Sequence, residues 1–265
     1  MGFFVEVLVG GLLAGVMYSL VALGFVLIYK ASGVFNFAQG AMVFFAATTF
    51  AGLVGLGWRG WMAFIASLVV MVLFALATER FVLRPLVNQP QISLFMATIG
   101  LTFVLEGVAQ GIWGSEVRGL DLGIPDAPLE VKGILISKFD LVAAATAAVL
   151  VTVLALFFQK TRVGRALRAV ALVAGLLWGS RLGVQFALTQ VALKALPVLI
   201  LGGFTSIAGA IVGGLLVGAS EKVAEVYLGP LIGGGIENWF PYVLALLFLL
   251  VRPDGLFGEK RIERV

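Results

Sequence analysis

Apolar positions along this chain fall in long uninterrupted blocks, not at the alternating period of a half-buried strand. Positions 7–29 carry no charge, and Lys30 closes that block. A helix needs about 20 apolar residues to cross bilayer hydrocarbon, so residues 5–29 are expected to form a first span. The same pattern places further spans at 34–57, from Trp61 to about Thr78, from about Ile92 to Trp113, and from about Phe139 to Phe158. Further along, the pattern becomes irregular, with a short block near 171–179, a longer one at 196–219 and a last one at 239–251. An outer-membrane barrel would be built from alternating segments of about 10 residues, which these blocks far exceed. The expectation is an all-α polytopic transmembrane helical bundle, a single transmembrane domain over residues 1–265.

The breaks between blocks set the topology. Trp58 and Trp61 flank Arg59, as at a membrane–water interface. The third block stops at Glu79-Arg80, and Pro85 is expected to end any helix continuing from it. Segment 114–138 is the longest non-apolar stretch. Its charges are mixed (Glu116, Arg118, Asp121, Asp126, Glu130, Lys132, Lys138), so it reads as an extracytoplasmic loop. Segment 159–168 carries Lys160, Arg162, Arg165 and Arg168 and no acid, so the positive-inside rule makes it cytoplasmic. Lys30, Arg84 and the C-terminal Arg252, Lys260, Arg261 and Arg264 fall on the same side, which puts the N-terminus outside and the C-terminus in the cytoplasm.

An even number of crossings must then separate the basic loop from the basic tail. The remaining blocks supply one only if Gly202-Gly203 divides the 196–219 block into a half-helix, with Pro197 in its first turn, and a span. The block near 171–179 is still too short. A segment is therefore expected to be missing near positions 168–175.

Composition sharpens the class. The chain is 61% hydrophobic and 12% charged, against about 25% charged in soluble domains, so it is read as an integral membrane protein. Its 34 glycines suit spans packed through small residues. The absence of Cys and His removes disulfides, thiol and imidazole chemistry and zinc sites; no catalytic residue, metal site or cofactor is expected. Gly-Lys occurs nowhere, so there is no P-loop, and any ATP that drives the protein must be hydrolysed by another chain. The net charge of +4 follows from basic loops at the membrane lipid and does not point to nucleic acid.

Within the blocks a few polar positions stand out. Asn36 and Gln39 are three residues apart inside the expected second span, and so on one helix face. Buried amides need partners, so they either tie two spans together or line the route of a polar solute. Gly202, Gly203 and Gly209 leave a broken helix and a bare face, suited to a pathway or to tight packing. Glu106 is a lone acid in the fourth span, read as structurally paired or in contact with solute. Glu221, Lys222 and Glu225 are read as solvated.

The stretches Leu20–Lys30 and Gly33–Gly40, including their polar positions, resemble the opening of LivH-type permeases of branched-chain amino acid ABC transporters. Lys194–Gly203 with Ser206–Gly214 resembles a second signature of that family, and Val251–Gly258 a third. After Arg168 the resemblance breaks, where a coupling segment and the start of a span would follow. The resemblance implies an ABC importer permease with broken or re-entrant helices in the bacterial inner membrane, carrying branched-chain amino acids. Urea or short amides, which related permeases carry, and a passive channel without an ATPase stay as alternatives. It further implies a second homologous permease subunit, two ATP-binding subunits and an extracytoplasmic solute-binding protein, for which the 114–138 loop is a docking rim. Segment 159–171 would be the cytoplasmic coupling region, with Gly164, Arg165, Leu167 and Arg168 contacting the ATPase.

Overall fold

In the computed structural model the long apolar blocks are helical. The structure describes residues 2–33, 35–86, 88–120, 128–131, 133–160, 173–174, 176–177, 179 and 187–258. Helix α1 spans Gly2–Ser32, α2 Gln39–Gly55, α3 Gly60–Thr78, α4 Gln91–Trp113, α5 Lys138–Lys160, α6 Ala187–Gly202, α7 Ile207–Ile232 and α8 Phe240–Val251. Among the described residues, the stretches 2–30, 60–86, 92–113 and 207–232 are long and apolar enough to cross a membrane. The fold is that of a helical polytopic membrane protein.

Five features differ from or add to the expected pattern. Helix α2 starts at Gln39, not near position 34, so Asn36 lies outside it. Asn36 Oδ1 accepts from the Ala38 N–H at 3.1 Å, and the Gln39 N–H donates to Asn36 O at 3.3 Å, so the residue forms an Asx turn just ahead of the helix, whose N-cap is Ala38. Helix α3 does not stop at Glu79; it widens into a π turn, Glu79–Leu83, and then a 3-10 turn, Arg84–Leu86. Pro85 has no N–H to donate, and the backbone changes its hydrogen-bond spacing ahead of it instead of ending. The loop after α4 contains an antiparallel hairpin, β1 Pro128–Val131 and β2 Ile134–Ser137, with Val131 opposite Ile134 and Gly133 turning at φ +79°. Pro197 lies inside α6, not in its first turn. The break at Gly202-Gly203 is present, with Gly203 at φ +99°. The helix after it, however, runs on to Ile232, well past residue 219. The junction at 168–175 lies almost wholly outside the described residues, and so does the chain spacing that would show whether a segment has been closed up there.

The chain divides into two compact units. One comprises residues 1–27, 123–162 and 193–265, the other 28–122 and 163–192. In the first, α1 and α7 run antiparallel with their backbones touching. A Cβ on Gly11 would lie 2.7 Å from Gly218 O, and one on Gly15 would lie 2.6 Å from Gly214 O. Only glycines allow that approach, which in lipid gains through packing what the hydrophobic effect cannot supply. The Ser19 hydroxyl sits between Gly15 O (2.8 Å) and Ile211 O (3.2 Å). The C-terminal tail closes the break after α6. Leu256 N–H donates to Leu201 O at 2.8 Å and Phe257 N–H to Gly202 O at 3.1 Å, satisfying carbonyls that a helix end leaves open.

In the second unit, α2 packs against α3 and α4. The Trp113 ring covers Gly52, where a side chain would have no room. Phe37 meets Phe35 and Phe95 edge to face, with centroids 4.7 and 4.8 Å apart, and its N–H donates to Thr98 Oγ1 at 3.3 Å. These contacts fix the irregular segment ahead of α2 and aim Asn36.

Candidate solute pathway

Asn36 borders a cavity of about 350 Å³ in the second unit, within the roughly 300–1,000 Å³ range of small-molecule sites. Asn88 and Thr98 supply further neutral polar groups, while Ile28, Met42 and Leu101 give aliphatic walls. Asn88 holds φ +72°, a left-handed conformation that Asn tolerates better than most residues. The Asx turn occupies Asn36 Oδ1, while Nδ2 donates to Met42 Sδ at 3.9 Å, a weak acceptor. The cavity therefore combines an aliphatic wall with a largely unspent amide donor.

Gln39, expected to share a helix face with Asn36, is 2% exposed, and among the described residues its Nε2 has no hydrogen-bond partner. Asn36 lies in the turn ahead of α2, so the structure does not bring the two amides together as one helical pair. The glycine candidates are engaged in packing. Gly202 and Gly209 press against each other's backbone, and Gly203 faces Phe257 and Gly258. Gly164, Arg165, Leu167 and Arg168 lie outside the described residues. Glu106 is buried on α4.

A further constellation went unnoticed in the sequence. Glu221 is not solvated: on α7 it is 6% exposed. Its Oε1 accepts from Tyr18 Oη of α1 and from Lys194 Nζ of α6, each at 3.0 Å. Its Oε2 is buried and has no hydrogen-bond partner among the described residues. Three helices of the first unit thus meet at one carboxylate oxygen. The signal in sequence was Lys194 just ahead of the 196–219 block and Glu221 just after it, charges flanking one apolar block that can seek each other at membrane depth. Glu225, by contrast, accepts from the Gly235 N–H (3.2 Å) and Glu237 N–H (3.0 Å) and pins the loop after α7.

Comparison with known proteins is consistent with this architecture. Residues 7–173 match the family model described as "Branched-chain amino acid transport system / permease component". The chain is 28% identical to the high-affinity branched-chain amino acid transport system permease protein BraD of Pseudomonas aeruginosa, over 99% of this chain and 98% of that one. It is 25% identical to LivH of Escherichia coli K12, with the same coverage, and 25% identical to a probable LivH permease of Methanocaldococcus jannaschii, over 98% of this chain and 95% of that one. No solved structure matches. The alignment to BraD runs over 305 positions while the chain has 265 residues, so at least 40 positions stand opposite a gap in this chain.

Proposed function

Because the chain belongs to the family of branched-chain amino acid transport permease components, we propose that it forms half of the transmembrane pathway of an ATP-driven importer for branched-chain aliphatic amino acids. It is a membrane subunit of a transporter, seated in the inner membrane, and does no covalent chemistry of its own. A second homologous permease supplies the other half of the pathway, two separate subunits hydrolyse ATP, and an extracytoplasmic binding protein delivers the solute. Its N-terminus lies outside and its C-terminus in the cytoplasm, as the basic loops require. Gly164, Arg165, Leu167 and Arg168 contact the ATPase. Asn36 and Gln39 line the route, and the Gly202-Gly203 break with Gly209 is a further candidate for lining it. The chain is shorter than its alignment to BraD, and we place the missing segment near residues 168–175, where the sequence resemblance breaks.

The observation that carries the substrate class is the Asn36 cavity. Its uncharged polar groups and aliphatic walls suit a branched side chain passing with few fixed charges. Urea or a short amide would use the amides and leave the walls unfilled. Purification on a C-terminal tag in mild detergent is expected to bring down two ATP-binding subunits and a second permease, and cells with the full set to take up leucine in preference to urea. A chain that emerges alone as a stable oligomer and conducts without ATP would refute the importer reading.

A further inference from the structure

Two residues of opposite charge line one cavity of the first unit without pairing. The cavity measures about 520 Å³ and lies among the outer turns of α1, the β-hairpin with the start of α5, and α7. Glu6 projects from α1 and Lys222 from α7. Among the described residues neither side chain has a hydrogen bond or an ion pair, so the two charges stand farther apart than a salt bridge allows, with open space between them. The third charge on the wall, Asp140, belongs to the first turn of α5, where its N–H donates to Ser137 Oγ at 3.1 Å.

The chemistry of the wall favours a particular ligand. A Cβ on Gly11 would touch Lys222 Cβ at 3.0 Å, so Lys222 is level with Gly11, and Glu6 stands five residues further up α1. One cation and one anion that do not neutralise each other offer a charge-assisted hydrogen bond to each end of a zwitterion. Val7, Leu13 and Val226 add an apolar wall beside that gap. The contrast with Lys194 and Glu221 is informative: that pair is closed at 3.0 Å and neutralises itself, whereas this one is open.

We propose that this cavity is an entry subsite for an aliphatic α-amino acid zwitterion, Lys222 taking the carboxylate, Glu6 the ammonium and the apolar wall the side chain. The subsite rests on the importer reading above and deepens it. With the N-terminus outside, it receives solute on the extracytoplasmic face, and a neutral amide gains neither ion pair there.

The test is radiolabelled leucine binding to the full chain, purified with its partner subunits in lipid nanodiscs. The competitors are 4-methylpentanoate, which lacks the amine, and 3-methylbutylamine, which lacks the carboxylate. Each analogue is expected to compete at least tenfold more weakly than leucine. Glu6→Gln should weaken leucine at least tenfold and erase its advantage over 4-methylpentanoate. Lys222→Met should do the same and erase its advantage over 3-methylbutylamine. Glu6 has no partner to strand among the described residues, and Glu225, which feels the Lys222 charge, keeps its bonds from the Gly235 and Glu237 N–H groups, so folding is preserved. Leucine binding that is indifferent to both substitutions, or affinity lost equally for all three probes, overturns the subsite. The same holds if the wild type imports leucine but the purified complex does not bind it. If the wild-type complex neither binds nor imports leucine, the importer reading itself fails and the subsite falls with it.

Discussion

Replacing Lys194 by Met removes one of the two donors that hold Glu221 Oε1, and Tyr18 alone is left to face a buried carboxylate. Breaking a buried pair from one side costs about 3–5 kcal/mol, because the remaining charge is neither hydrated nor compensated. At about 2–4 °C per kcal/mol for a chain of this size, the unfolding midpoint in detergent should fall by roughly 6–20 °C. Tyr18→Phe removes only a hydrogen bond to a charged acceptor and should cost about 1.5–3 kcal/mol. The double variant Lys194→Met with Glu221→Leu removes both charges and the unpartnered Oε2 together. Apolar replacement of a whole buried pair is often neutral, so this variant should regain most of the loss. Thermal unfolding followed by the monodisperse fraction on size exclusion, with all variants in one detergent, measures the cycle. A double variant as unstable as Lys194→Met, or a Lys194→Met that melts with the wild type, would refute the reasoning.

Gly15→Leu should abolish the folded yield, because even a Cβ there lies 2.6 Å from Gly214 O, while Gly10→Ala, with nothing within 4 Å, should express normally; membrane yield by immunoblot compares the two. Asn36→Leu loses the turn hydrogen bond to Ala38 N–H, about 0.5–1.5 kcal/mol, and Gln39→Leu removes a buried Nε2 that has no partner among the described residues, without loss of stability. Both should assemble and take up less leucine, and unchanged uptake in both would return these amides to structure. Gly255→Val places a side chain at φ +81° with its Cβ 2.8 Å from Gly203 N. It should free the tail, seen as faster protease clipping after Arg252.

The spans were readable because apolar length is a direct physical signal: α3, α4 and α5 begin and end within a few residues of the expected positions, apart from the turns that continue α3. The breaks were harder. Asn36 carried a turn signature, yet its apolar neighbours Phe35 and Phe37 made it look like part of a span. The hairpin at 128–137 is four residues a side, too short for alternation to stand out from a loop rich in charge and proline. The Glu221 site escaped because its partners lie 203 and 27 residues away in sequence, and nothing local marks which helices will touch. The cavity at Glu6 and Lys222 was hidden for the same reason, since it exists only once α1 lies along α7.

The tail that closes α6 also sets an order of events during synthesis. About 55 residues separate Leu201 and Gly202 from the Leu256 and Phe257 amides that serve them. At about 5–20 residues per second, the broken helix waits roughly 3–11 s before those amides have been made, and longer before they clear the ribosome. Over that interval α7 and α8 enter the bilayer while the end of α6 lacks its native partners. The first unit thus completes its folding only after Leu256 and Phe257 have been made, with α7 and α8 already laid down.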